Sequence, residues 1–388
     1  MKPLVPSRSS RRGWMVAAAG ALLVPAWARG AERTLTIGQV SSLSGSQGAD
    51  LGLGLQAGIQ ACFQAVNAAG GVRGQRLRLV SKDDRYQPQD TVRLTHELIE
   101  QERPAALIGY RGTANTLALI ESGLLVRHGL TLVGTLTGAK EIQGAPGVLH
   151  LRTSYERELT ELVLQIQRMA LDSVAVLYVD DAFGRTGLAA VERAAAASGS
   201  RLLASVAYDK TPAQVDASMQ QAARTLAATQ AKALVVVAVG EPVYAFIQAF
   251  RPLSASTRLF CMSVVAPAAV VQRCGEAVAA GIGFSQVYPF PHSGKTSLVR
   301  DYRKALAGVP NAPPPDHFSL EGYVYARVLV EALKRAPDAP TVLQVSAALD
   351  ALAPMDLGGL RIEIDPRTRN GLRYTDLTVL SRQGRLLG

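Results

Sequence analysis

Three cysteines in 388 residues, Cys62, Cys261 and Cys274, are too few for a disulfide scaffold. Aromatic residues make up only 5% of the chain. Beyond the first thirty residues no apolar run approaches the roughly 18 to 20 residues that cross a bilayer, which excludes a membrane-spanning body. Charged residues are 19% against 48% hydrophobic, a balance that excludes a disordered chain. The 35 glycines and 20 prolines are scattered without period, which excludes a fibrous protein. Lysine and arginine occur singly rather than as a stripe interleaved with stacking aromatics, so no nucleic-acid partner is expected.

What is present is a length suited to two domains and an N-terminal segment unlike the rest. Residues 1–30 read as an export signal: Lys2, Arg8, Arg11 and Arg12 precede an uncharged stretch from Gly13 to Trp27. Ser10-Arg11-Arg12-Gly13-Trp14-Met15 resembles a twin-arginine (Tat) signal, with an ordinary Sec signal as the alternative. Ala26-Trp27-Ala28 and Ala28-Arg29-Gly30 offer small-x-small cleavage sites, and no cysteine nearby provides a lipid anchor. The processed chain is therefore expected free in the periplasm. The formal charge of +10 includes Lys2, Arg8, Arg11 and Arg12, so a cut after Ala28 leaves +6 for the remainder. In such an oxidising compartment Cys261 and Cys274 could pair across a short loop, leaving Cys62 as a small buried hydrophobe.

From Thr34 onward strands and helices alternate. Leu35 to Val40 reads as a strand, and Leu51, Leu55, Ile59, Cys62, Phe63 and Val66 follow at helical spacing. Leu77 to Ser81, a helix from Pro88 to about Glu102, Ala105 to Gly109 and Leu130 to Val133 continue the series. A second series holds the strands Val174 to Val179, Ala233 to Ala238 and Leu259 to Met262, and a helix spans about His317 to Leu333. This alternation predicts two doubly wound α/β lobes joined by short ordered crossings.

Motifs for bond chemistry fail on named residues. Gly294-Lys295-Thr296 has Pro289 where a phosphate loop needs glycine, and His96-Glu97-Leu98-Ile99-Glu100 ends in Glu where a zinc helix needs His. Gly281 to Val287 ends in Val where a nucleophile elbow needs glycine. Gly52, Gly54 and Gly58 lie within the apolar helix stripe and are expected to allow close helix packing. The histidines His96, His128, His150, His292 and His317 adjoin no other ligand at metal spacing. No enzyme activity, metal or cofactor is expected.

Polar turns directly after strands remain: Ser41-Ser42-Leu43-Ser44-Gly45, Tyr110-Arg111-Gly112-Thr113 and Thr135-Leu136-Thr137. In open α/β sheets ligands bind at the carboxyl ends of the strands, where helix N-termini present free N–H groups. The hydroxyls can cap helices, meet a ligand, or do both.

The chain resembles the type I periplasmic solute-binding proteins of ABC importers, the leucine/isoleucine/valine-binding protein-like class. The resemblance rests on Ile37-Gly38-Gln39 with Leu43-Ser44-Gly45, on Asn67 to Gly74, on Asp83-Asp84 followed by Pro88, and on Val179-Asp180-Asp181-Ala182-Phe183-Gly184. It implies two Rossmann-like lobes, a hinge of three crossings near Arg152, Gln286 and Met355, and a solute held between the lobes and passed to a membrane permease by a monomer. On this likeness residues 31–152 and 287–354 form one lobe, and 153–286 with 355–388 the other. Thr113, Thr135 and Thr137 match the first-lobe clamp on a carboxylate; Phe183 matches an aromatic wall; Gly240-Glu241 matches a loop near the ligand amine. Ser44 and Tyr110 belong to the same turns, and Tyr155 sits beside the first crossing. Arg111 is an added feature that either pairs with a second acidic group or rests as a cation on the rim. Ser263 and Val264 stand where amino-acid binders place an acid, a departure that puts an α-amino-acid solute in doubt. A ligand-sensing component of a signalling system would use the same fold.

Overall fold

The computed structural model describes residues 33–45, 48–209, 211 and 213–388. The leader expected at residues 1–30 lies outside them. The first half of the chain runs β1 (Thr34–Ser41), α1 (Ala49–Ala68), β2 (Arg76–Asp83), α2 (Pro88–Glu102), β3 (Ala106–Arg111), α3 (Thr113–Glu121), α4 (Leu124–Arg127), β4 (Leu132–Leu136) and β5 (Val148–Leu149). These strands form a parallel sheet in the order β2-β1-β3-β4-β5. Every residue of β3 is buried, which is why its sequence is nearly continuously apolar rather than alternating.

The second half runs α5 (Tyr155–Arg168), β6 (Ser173–Val179), α6 (Ala182–Ser198), β7 (Arg201–Tyr208), α7 (Val215–Ala228), β8 (Ala233–Val237), α8 (Glu241–Phe250), β9 (Arg258–Cys261), α9 (Pro267–Cys274), α10 (Glu276–Ala279) and β10 (Gly283–Gln286). The chain then returns to the first lobe as α11 (Ser297–Ala307), α12 (His317–Leu333), α13 (Val342–Asp350) and the hairpin β11 (Met355–Asp356) with β12 (Arg361–Ile362). β13 (Asp376–Leu380) and β14 (Leu386–Leu387) close the second sheet, ordered β14-β13-β10-β9-β8-β6-β7, with β13 antiparallel to β10. The result is two α/β lobes. Among the described residues no helix is long and apolar enough to cross a membrane.

Helix α12 joins the first lobe by close contact with α1, and glycines make the approach possible. A Cβ on Gly58 would stand 1.8 Å from the Ser319 carbonyl oxygen, one on Gly54 2.8 Å from the Phe318 Cβ, and one on Gly322 2.1 Å from the Leu55 carbonyl oxygen. A Cβ on Gly52 would reach the Ser42 carbonyl at 2.0 Å. The glycines inside the apolar stripe therefore serve packing, and they seat α1 against the turn that follows β1.

The crossings are sewn to one another. Tyr288 donates to the Leu151 carbonyl, Asn370 Nδ2 donates to the Arg152 carbonyl at 3.0 Å, and Thr153 Oγ1 donates to the Tyr374 carbonyl at 2.6 Å. Arg152 lies on the first crossing, and Gln286 ends β10 where the second begins, its amide donating to Thr378 Oγ1 at 3.0 Å. Met355 requires a correction. Its hairpin bonds to the first lobe through Leu298 N–H to Gly358 O at 3.0 Å, and the chain after it does so through Gly144 N–H to Thr368 O at 2.7 Å. The passage into the second sheet comes after Leu372 and before Asp376, so the stretch from Met355 to the third crossing sits with the first lobe.

The three cysteines are free, which corrects the expected pairing of Cys261 with Cys274. Cys261 ends β9 fully buried in the second lobe, while Cys274 ends α9 with its thiol donating to the Tyr244 carbonyl at 3.6 Å. Burial pushes the Cys62 and Cys261 thiols up to about 12.

The α1–α12 contact predicts that Gly58→Ala forces the helices apart and destabilises the chain by about 1–3 kcal/mol. A urea melt reads this as a lowered midpoint, and an unchanged midpoint would refute the close contact.

Candidate ligand-binding site

The carboxyl ends of both sheets face one another across a narrow space of about 10 Å³. Its first-lobe side is built from Leu51 of α1, Tyr86 beyond β2, Arg111 and Gly112 at the end of β3, Thr113 and Leu136. Phe183 of α6, Val239 beyond β8 and Val264 beyond β9 form the other wall, with Tyr155 at the first crossing. Two strands run farther than the sequence pattern indicates: β3 reaches Arg111 and β4 reaches Leu136. That extension decides which residues reach the space.

Thr113 opens α3, and Gly112 before it has φ 91°, a conformation suited to glycine. A side chain at Gly112 would strike the Tyr86 ring, since a Cβ there would lie 2.6 Å from it. Helix α3 thus begins at the edge of the space, its unsatisfied N–H groups and the positive end of its dipole turned to it. Thr113 Oγ1 and Thr137 Oγ1 are 2.7 Å apart, and behind them Thr116 Oγ1 and Thr135 Oγ1 are 2.9 Å apart. Thr135 is therefore a supporting hydroxyl inside the lobe. Thr137 is held from the other side as well, its carbonyl 2.6 Å from His150 Nε2.

Arg111 is buried rather than on the rim, 1% exposed, with its guanidinium carbon 4.4 Å from the Tyr86 ring centroid. The Tyr86 backbone is strained, at φ 63°, and follows Arg85 at φ 50°. Asp84 holds this turn by accepting from Tyr86 N–H at 2.9 Å, Ser42 Oγ at 2.9 Å and Thr91 Oγ1 at 2.7 Å. Tyr155 and Phe183 meet edge to face at 5.2 Å. Asp181 caps α6 by accepting the Gly184 N–H at 3.1 Å, so the aromatic wall stands at a second helix N-terminus.

Other residues expected at the site lie elsewhere. Tyr110 points into the first-lobe core, its hydroxyl 2.9 Å from Thr95 Oγ1, because neighbours in a strand face opposite ways. Burial raises its pKa and keeps it a neutral phenol. Ser44 is exposed and donates to Asp83 Oδ2 at 2.5 Å, tying the turn after β1 to the end of β2. Glu241 stands at the mouth of the cleft with Asp50, paired with Arg273 and 44% exposed. Burial raises the Asp50 pKa against the pull of Arg111. Ser263 faces away from the space, its hydroxyl accepting from Arg152. Tyr86, Leu136 and Val239 were missed; Tyr86 carries a local signal in its place two residues after Asp84.

Behind the space lies a buried charge network. The Arg152 guanidinium meets Glu321 of α12 at 2.5 Å, the two side chains being 0% and 2% exposed. Tyr325 donates to the same carboxylate. Arg152 also donates to Ser263, whose N–H donates to Glu158 at 2.8 Å, and Glu158 accepts from Ser285 at 2.5 Å. One hydrogen-bonded chain therefore joins α12, the first crossing, and the ends of β9 and β10.

A profile of the periplasmic binding protein family matches residues 34–382. The structure is similar to an extracellular ligand-binding receptor from Verminephrobacter eiseniae, at 28% identity over 92% of this chain and 100% of that one, with a TM-score of 0.85. It is also similar to a substrate-binding periplasmic protein from Ralstonia solanacearum, at 31% identity over 91% and 99%, with a TM-score of 0.84. A curated amino acid binding protein from Pseudomonas aeruginosa is 30% identical over 64 residues, a match that spans 17% of that protein and 16% of this chain.

Breaking the buried pair leaves an uncompensated charge, so Arg152→Met is expected to cost about 3–5 kcal/mol. A guanidinium melt matching wild type would contradict this. Burial lowers the His150 pKa from 6.5 to about 4. Between those values the unfolded chain binds a proton that the folded chain refuses, so the His150 contribution lowers stability by roughly 1.4 kcal/mol for each unit that the pH drops. Denaturant midpoints of His150→Gln should therefore depend less steeply on pH across this window than those of wild type; equal slopes would count against the buried neutral imidazole.

Proposed function

Because the chain belongs to the periplasmic binding protein family, we propose that it captures a small carboxylate-bearing solute between its lobes and delivers it to an ABC-type permease. It works as a monomer in the periplasm after loss of its leader and changes no bond in the solute. The observation that carries this reading is the pairing of unlike walls across one narrow space. The first lobe offers the N-terminus of α3, the Thr113–Thr137 hydroxyl pair and the buried Arg111, all suited to an anion. The second lobe offers Phe183, Val239 and Val264, which suit an apolar body and supply no acid for an ammonium.

A solute touching both walls favours the closed arrangement by its differential affinity for it. Selectivity follows from burial, since a solute lacking the carboxylate leaves desolvated donors without partners, at roughly 1–3 kcal/mol. The Arg152–Glu321 pair and its partners lie outside the space, and Tyr155 is the crossing residue that a solute would touch.

The test is a thermal-shift and calorimetric panel of aliphatic and aromatic acids, amino acids and amides on the processed chain. Stabilisation by one class of acid is expected. Thr113→Ala and Phe183→Ala should each weaken its binding about tenfold or more, while Glu241→Gln leaves it within twofold. Absence of binding across the panel would remove the reading, and equal affinity in the first two variants would remove the site.

A further inference from the structure

Thr113, which lines the space between the lobes, is the last link of a hydrogen-bonded chain that begins at the hinge. His150 follows β5 and leads into the first crossing. Its backbone is fastened to the stretch that becomes the third crossing: its N–H donates to the Arg369 carbonyl and its carbonyl accepts from Gly371 N–H, both at 2.8 Å. The side chain is fully buried, with Nε2 2.6 Å from the Thr137 carbonyl oxygen. A carbonyl oxygen only accepts, so Nε2 carries a proton. Burial keeps the ring neutral near neutral pH, which makes this its single proton.

The turn at Thr137 is pressed against the first crossing. Thr137 N–H donates to the Thr135 carbonyl at 2.9 Å, and Tyr155 N–H donates to the Gly138 carbonyl at 2.8 Å. Thr137 Oγ1 accepts from Ala139 N–H at 3.3 Å and also interacts with the Tyr155 side chain. It lies 2.7 Å from Thr113 Oγ1. A carboxylate beside Thr113 accepts the hydrogen of that hydroxyl, and Thr113 Oγ1 then accepts from Thr137. Without the imidazole the Thr137 carbonyl is a buried acceptor that has lost its side-chain donor, and the turn behind Thr113 is no longer held in one rotation.

From the carboxylate reading of the site, we infer that His150 is a positioning residue for it. Its Nε2–H fixes the Thr137 carbonyl, and with it the turn that carries the Thr137 hydroxyl behind Thr113. Solute affinity is thereby set in part from the hinge, by a residue that touches no solute.

The test is isothermal calorimetry of the processed full chain with the panel acid that stabilises wild type most. His150→Leu, which keeps bulk and removes the donor, should weaken binding about tenfold. His150→Gln, which offers an amide N–H in place of the ring N–H, should stay within about threefold of wild type. In a Thr113→Ala background His150→Leu should add less than about twofold, because both changes act on one hydroxyl; a merely structural effect would add in full. Nitrogen-15 NMR of histidine-labelled wild type should show His150 as the Nε2–H tautomer, with a signal that shifts on adding the acid. Circular dichroism checks the fold of each variant; should His150→Leu fail to fold, that signal decides. An Nδ1–H tautomer, or an Nε2–H signal unmoved by saturating acid, overturns the inference. So does equal affinity of wild type and His150→Leu, a loss in His150→Gln as large as in His150→Leu, or full additivity with Thr113→Ala, and each of these leaves the carboxylate site standing. Absence of binding to wild type removes the site and the role together.

Discussion

The Arg152–Glu321 ion pair is the constraint on which the arrangement of the lobes rests. A guanidinium and a carboxylate with side chains 0% and 2% exposed are costly to desolvate and persist only where geometry and further hydrogen bonds offset that cost. Here Tyr325 and Ser263 supply those bonds. Arg152 is on the crossing, Glu321 on a first-lobe helix and Ser263 at the end of a second-lobe strand, so the network can be satisfied only when the hinge brings all three together. Such a pair fixes a geometry more than it adds stability. The close packing of α12 on α1 through Gly54, Gly58 and Gly322 places Glu321 where Arg152 meets it.

From that anchored hinge the candidate site follows by the rules of open α/β sheets. Parallel strands in both lobes end toward the seam, and β3 and β6 are followed by helices whose N-termini stand at it. The lobes use this shared plan differently. Beyond β3 and β4 the first lobe places a glycine-led helix start, paired threonines and a buried arginine; beyond β8 and β9 the second places Val239 and Val264. Equivalent ends of two similar sheets have thereby become a polar wall and an apolar one. The Asp84 cluster contributes at a distance by holding the strained Tyr86 turn under Arg111.

The alternation of apolar strands with amphipathic helices made the two α/β lobes legible, because a helix stripe and a strand covered on both faces leave different local patterns. The helix Pro88–Glu102 coincides with its expected limits, since proline starts it and Arg103 at φ 46° ends it. Strand ends were less legible. The polar residues Tyr110 and Arg111 read as a turn, yet both pair in the sheet, because β4 extends alongside and satisfies their backbone. Neighbours in a strand face opposite ways, which is why Tyr110 entered the core and Arg111 the cleft. The hairpin at Met355 and the short strands β5 and β14 carry too few residues for a periodic signal, so the third crossing was placed too early. Val239 reaches the site only through tertiary placement.

The account's central claim is that the lobes close over a solute held between Thr113 and Phe183. The direct measurement is the distance between spin labels on exposed positions of the two lobes, Val126 and Leu203, by pulsed electron resonance with and without the tightest-binding acid. A shift of the distance distribution to a single narrow population on binding, lost in Phe183→Ala at the same acid concentration, is the predicted result. A distribution unchanged at saturating acid would contradict the claim.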